Sequence, residues 1–173
     1  MARIRDRDEP QPTAQQLVPY LKERIYVSFI GLAVLLALSV HGEETGALTA
    51  VTSLVIAAVG AGLAGLISEI VAHLAVKGSL PDATELRFLV RVSSGALATV
   101  VVPVVILLLA AAGVLSVPLA LASAVWVMAI TLGAIGYIAV FRANLAWWKK
   151  LAVFVGLVLF GLVVVGVQLL AHG

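Results

Sequence analysis

The amino-acid sequence predicts an all-α polytopic membrane protein with five transmembrane helices, N-terminus cytoplasmic and C-terminus outside. Composition is the first reason: 62% of the 173 residues are hydrophobic and 12% charged, with a mean hydropathy of +1.16, as in a chain whose solvent is lipid. The second is segmentation, because the apolar residues fall into runs of the length needed to cross a hydrocarbon core of ~30 Å. The third is charge placement. Arg3, Arg5, Arg7, Lys22 and Arg24 precede the first run, Lys77, Arg87 and Arg91 sit at the second turn-around, and Arg142, Lys149 and Lys150 sit at the fourth. These are all 11 basic residues; the other two connections and the C-terminus carry none. The positive-inside rule then orients the chain.

Residues 1–24 form a cytoplasmic tail, and residues 25–173 the five-helix transmembrane domain. The opening MARIRDRDEPQP is charged and proline-bearing, the composition of a tail without a core. Thr13 with Gln16 reads as a capping box that opens a short interfacial helix, with Pro19 near enough to its start to be tolerated. Span one covers Ile25 to Val40 and is short, so Tyr20 to Arg24 extend it. Span two, Ala47 to Val76, would be roughly 45 Å long as a helix and therefore tilts, kinks or protrudes. Span three, Leu86 to Gly113, contains Pro103, which predicts a kink near Thr99. Span four covers Val117 to Phe141 and span five Lys150 to Ala171. The connections His41–Gly46 and Gly113–Ser116 are short enough to make spans one and two, and three and four, antiparallel neighbours. Tyr20, Tyr26, Phe88, Phe141, Trp147 and Trp148 cluster at the cytoplasmic boundary as headgroup-level anchors, while Trp126 falls in the middle of span four.

Several function classes are excluded or disfavoured. The chain has no cysteine, so thiolate metal sites and disulfides are ruled out. The net charge of +2 needs no nucleic-acid partner, because the basic residues already serve as topology determinants. No Walker motif, nucleophile elbow or intramembrane Asp pair is present, so an enzyme is the least favoured class, and no cofactor is required.

The chemistry of the chain concentrates in span two. Glu69 and His73 are four residues apart and share one helical face, with Glu69 about seven residues, ~10 Å, inside the cytoplasmic end. Glu69 reads as the only carboxylate in the apolar core, and a charge at that depth demands compensation. Gly65, Gly62 and Ala58 continue the face as a small-residue stripe, matched in span three by Arg91, Ser94, Gly95 and Ala98. Two readings follow. In one, Glu69 and Arg91 form a buried ion pair that holds spans two and three together, with Arg91 as pairing or gating residue. In the other, Glu69 and His73 line a hydrated half-channel that carries a proton or binds a divalent metal as substrate, with further ligands from other helices or another subunit. A second cluster, His41, Glu43 and Glu44 with His172, lies at the outer side, where solvated loop charges are the default and a cation exit site is the alternative.

In "AGLAGLISEIVAHLAV" of span two, "SSGALATVVVP" of span three, "ITLGAIGY" of span four and "FVGLVLFGLVVVGVQLL" of span five, the chain resembles the vacuolar iron transporter family over roughly residues 55–170. The resemblance implies five spans, N-terminus in and C-terminus out, assembly as a homodimer, and a role for Glu69 as the acidic metal-translocation residue of span two. The chain departs from that family in three places: "IYVSFIGLAVLLALSV" has no acidic residue, span two has no metal-gathering Met, and the loop between spans two and three is too short for metal-binding helices. The sequence therefore leads to a transporter or channel-like protein for a small cation. The alternative is a structural or accessory membrane subunit whose polar residues only lock helices together.

Overall fold

The computed structural model describes residues 14–40, 45–142, 146–156 and 159, and among them every regular element is helical. Helix α1 spans Ala14–Val40, α2 Ala47–Lys77, α3 Ala83–Leu97, α4 Val101–Ala111 and α5 Val117–Arg142. Residues 147–156 begin a further helical stretch, and the remainder of the fifth expected span lies outside the described residues. Four stretches are long and apolar enough to cross a bilayer: Val18–Val40, Ala47–Lys77, Ala83–Ala111 and Val117–Val140.

The chain's punctuation explains the boundaries. Helix α2 ends where Gly78 takes the left-handed conformation, φ 68°, and donates its N–H to the Leu74 carbonyl at 2.9 Å. Helix α3 opens with a capping box. Asp82 Oδ1 accepts from the amides of Thr84 and Glu85 at 2.8 and 2.7 Å, while Glu85 Oε2 accepts from the Asp82 amide at 3.1 Å. This starts span three at Ala83, ahead of the expected Leu86. Helices α3 and α4 are one span interrupted by a 3₁₀ turn, Ala98–Val100, where the kink near Thr99 was expected. Pro103 supplies no N–H to the turn before it, so the backbone tightens there, and Thr99 Oγ1 donates to the Ala96 carbonyl at 2.7 Å.

Helix α1 is the hub, packing on α2, α3 and α5, while α4 packs on α5 and α2. Its buried face, Val27, Gly31 and Leu35, meets Leu54 and Ala58 of α2, Val100 at the 3₁₀ turn, Leu107 of α4 and Met128 of α5 in one apolar core. Gly31 keeps this crossing close, since a Cβ there would lie 2.8 Å from Met128 Cε and would push that flexible side chain aside. The outward faces are equally apolar: Ile56, Leu63, Ile67 and Val71 of α2 and Trp126 and Ile130 of α5 are exposed. Water would not favour so large an apolar surface; a bilayer covers it without cost.

Helix α1 also revises the expected start of span one. It runs unbroken from Ala14, so the segment expected as an interfacial helix and the one expected as span one are a single helix. Lys22, Glu23 and Arg24 thereby become part of the bundle rather than its tail.

Candidate functional site

One face of α2 positions the site. Gly65, Glu69 and His73 recur every four residues, about 6 Å apart along the axis, and each meets a different neighbour. His73, nearest the basic end, has Nε2 3.4 Å from Glu85 Oε2 of α3. Glu85 Oε1 also accepts from Lys77 Nζ at 2.7 Å, so this carboxylate ties the end of α2 to the start of α3. One turn deeper, Glu69 Oε1 accepts from Lys22 Nζ of α1 at 2.7 Å. One turn deeper again, Gly65 faces the carboxylate of Glu23.

Glu23 is the buried charged residue among those described. It is only 4% exposed, and its Oε2 is buried without a hydrogen-bond partner. The helix partner beside it has no side chain: a Cβ at Gly65 would lie 2.8 Å from Glu23 Cδ and 2.9 Å from Oε1. Glycine at 65 is therefore the residue that admits a carboxylate between α1 and α2. About one turn before Glu23 on α1, the Tyr20 ring packs edge-on against Phe88, with centroids 6.1 Å apart, and would lie 3.1 Å from a Cβ at Gly95. Ser28 Oγ, on α1 beyond Glu23, is likewise buried without a partner. An ionised carboxylate in such a place costs several kcal/mol unless a proton, a cation or water meets it.

These contacts correct three expectations. Glu69 is not the only carboxylate in the core: its side chain is 35% exposed, and Glu23 is the buried one. Arg91 does not pair with Glu69: Lys22 reaches that carboxylate from α1, which packs against both α2 and α3. The small-residue stripes of spans two and three do not pack on each other throughout. Gly62 does meet Leu97 and the Ser93 carbonyl of α3, but Gly65 and Gly95 make room for Glu23 and Tyr20 of α1, and Ser94 and Ala98 are exposed. His41, Glu43, Glu44 and His172 lie outside the described residues. Among the described residues no three His, Asp or Glu side chains are grouped as a metal ion would need.

Glu69, His73, Glu85, Arg87 and Arg91 line an open cavity of about 770 Å³ at the end of the bundle that carries Lys77. Glu69 and His73 are thus brought together in one vestibule, as their spacing indicates, and Arg91 joins them on its wall. No family model, curated protein or solved structure matches this chain. The likeness to vacuolar iron transporters therefore stands on the quoted sequence segments alone. One departure noted there narrows, since the first span begins early enough to hold an acidic residue, Glu23.

Chemically, the arrangement is a graded series of acid–base groups. It starts in the vestibule with His73 and Glu85, passes the Lys22–Glu69 pair and ends at the buried carboxyl of Glu23. Beyond it the bundle is sealed by Gly31, Leu54, Val100 and Met128. Sequence reasoning missed Glu23 because it sits between Lys22 and Arg24, where a charged triplet resembles solvated tail. The signal that could have found it is helical phase: Glu23, Val27 and, two turns from Glu23, Ile30 and Gly31 fall on one face of a continuous helix.

Proposed function

We propose that this protein is a multi-pass cell-membrane transporter that moves a small cation, the proton before a divalent metal, with Glu23 as its inner carrier group and Glu69 and His73 as its entrance. The basic end, with the vestibule, faces the cytoplasm, the N-terminus inside and the C-terminus outside. The observation that carries the reading is the buried Oε2 of Glu23, which has no hydrogen-bond partner and lies one helical turn behind a vestibule that reaches Glu69. A membrane helix retains such a group at a cost in stability, and intramembrane carboxyls of this kind mark ion and proton pathways.

In this mechanism a proton passes from vestibule water by way of His73 and Glu69 to Glu23, carried between them by intervening water, because groups one helical turn apart, ~6 Å, are beyond direct hydrogen-bond reach. A protonated Glu23 is neutral and tolerates its apolar surroundings; the ionised form draws the next cation in. Lys22 already occupies Glu69, and Arg91 and Arg87 share the vestibule wall. A divalent ion would have to displace the lysine and would meet twice the guanidinium repulsion that a proton's single charge meets, although a proton on Glu69 also gives up the bond to Lys22. Release on the far side requires the seal at Gly31, Leu54, Val100 and Met128 to open, a rearrangement of α1 against α5.

The test is proton uptake by proteoliposomes under an imposed pH difference, followed with an internal pH-sensitive dye. Glu23→Gln should abolish uptake while leaving the helical circular-dichroism spectrum intact, and Glu69→Gln should slow it. Full uptake by folded Glu23→Gln protein would overturn the assignment. A second reading, a structural or accessory subunit, is favoured by one feature: both vestibule carboxylates are already held by lysines that tie α1 and α3 to α2. Absence of flux in the wild type for protons and divalent metals alike would put that reading first.

A further inference from the structure

The vestibule wall carries more positive than negative charge. Its two carboxylates are taken, Glu69 by Lys22 and Glu85 by Lys77, each at 2.7 Å. Arg87 and Arg91, which line the same cavity, take part in none of the ion pairs among the described residues. They stand one turn apart on α3, where residues four apart have Cβ atoms about 5–6 Å from each other. Two planar guanidinium forks at that spacing can close on one tetrahedral oxyanion. The surroundings are those of a membrane boundary. Val76 of the cavity wall is 85% exposed, Leu86 and Val90, each preceding one of the arginines, are exposed too, and Phe88 forms part of the lining.

We propose that Arg87 and Arg91 bind the phosphate of an anionic phospholipid, whose headgroup sits in this cavity while its acyl chains lie along the apolar flank of α3. The chemistry recognised is a phosphate ester with net negative charge. Two features favour the lipid over free phosphate as its carrier. Exposed Leu86 and Val90 offer a surface to hydrocarbon beside each arginine, and basic pockets between helices on the side with the positive residues face the anionic leaflet. Occupancy would neutralise the two guanidinium groups and so lower the repulsion that a cation meets on its way to Glu69. The site itself does not depend on the transport reading, because its occupant binds whether or not the bundle moves an ion.

The experiment uses the full chain, purified in detergent and then presented with phosphatidylglycerol, phosphatidylcholine or inorganic phosphate, with retained molecules counted by native mass spectrometry. Wild type should retain phosphatidylglycerol in preference to phosphatidylcholine. The Arg87→Gln/Arg91→Gln double variant should lose that preference by roughly thirtyfold, the sum of two basic-residue increments. The Arg87→Lys/Arg91→Lys variant keeps the charge without the forks and should fall between them, provided that all three melt at similar temperature. An unchanged lipid preference in a folded Gln variant would overturn the proposal. Inorganic phosphate displacing phosphatidylglycerol at equal concentration would overturn the lipid assignment, since it would show that the acyl chains contribute nothing.

Discussion

Replacing Glu23 with methionine should make the protein more stable and inactive at once. The side chains are of similar volume, and methionine is flexible enough to fill the slot opposite Gly65 without a new collision. The change removes a buried oxygen that has no partner, and such a group costs about 1–3 kcal/mol relative to an apolar one. A central gain of about 2 kcal/mol corresponds to roughly 4–8 °C in Tm for a chain of this size. Thermal unfolding in detergent, followed through the intrinsic fluorescence of the three tryptophans, reads the first effect, and proteoliposome flux the second. Raised Tm with lost flux is the signature of a residue kept for function against stability. A Tm lowered by a similar amount would refute the reasoning, since it would mean that the carboxylate makes interactions the fold depends on.

Gly65→Leu should destabilise the bundle by about 1–3 kcal/mol through collision with Glu23, and adding Glu23→Ala should recover much of the loss in a double-mutant cycle read by Tm. Lys22→Ala or Glu69→Gln should each shift stability by no more than about 1 kcal/mol, because the pair is half exposed, in contrast to the 3–5 kcal/mol of a buried pair. Arg91→Leu combined with Glu69→Gln should be additive in Tm, since the two side chains do not pair. For orientation, a cysteine at exposed Gly46 should react with an impermeant reagent added outside intact cells and one at exposed Ser79 should not; the reverse pattern would invert the topology.

Much of the bundle was legible in the sequence, and the misses have physical causes. Span two was placed within a residue of α2, and span four within a residue of α5, because glycine or proline and a change of polarity mark their ends. The Pro103 kink falls at the 3₁₀ turn because a missing amide acts locally. Span three starts three residues early for a reason also written in the chain, the Asp82–Glu85 capping box, which hydropathy does not weigh. Span one was the harder case. Lys22, Glu23 and Arg24 lower its hydropathy at the start, yet helical hydrogen bonding continues through them from Ala14.

The same triplet explains why the candidate site was only half visible. Pattern reading assigns charge to solvent, and for Lys22 and Arg24 that is right: both are exposed. Successive helical residues point about 100° apart, so the residue between two exposed ones can still face a neighbouring helix. Whether Glu23 does so depends on what α2 offers at that level, and the missing side chain of Gly65 leaves the room its carboxylate takes. The pairing of Glu69 depended in the same way on the third dimension. Arg91 is the nearer candidate in sequence and depth, but α1 packs against both α2 and α3 and brings Lys22 to the carboxylate first. Arg91 is thereby left on the vestibule wall as a positive group free for something other than Glu69. A carboxyl group buried one turn behind a lysine-held glutamate, with two arginines on the cavity wall outside the ion pairs, is a different electrostatic arrangement from two helices joined by one ion pair. The sequence contained every residue of it, but only the packing of α1 determined which of them met.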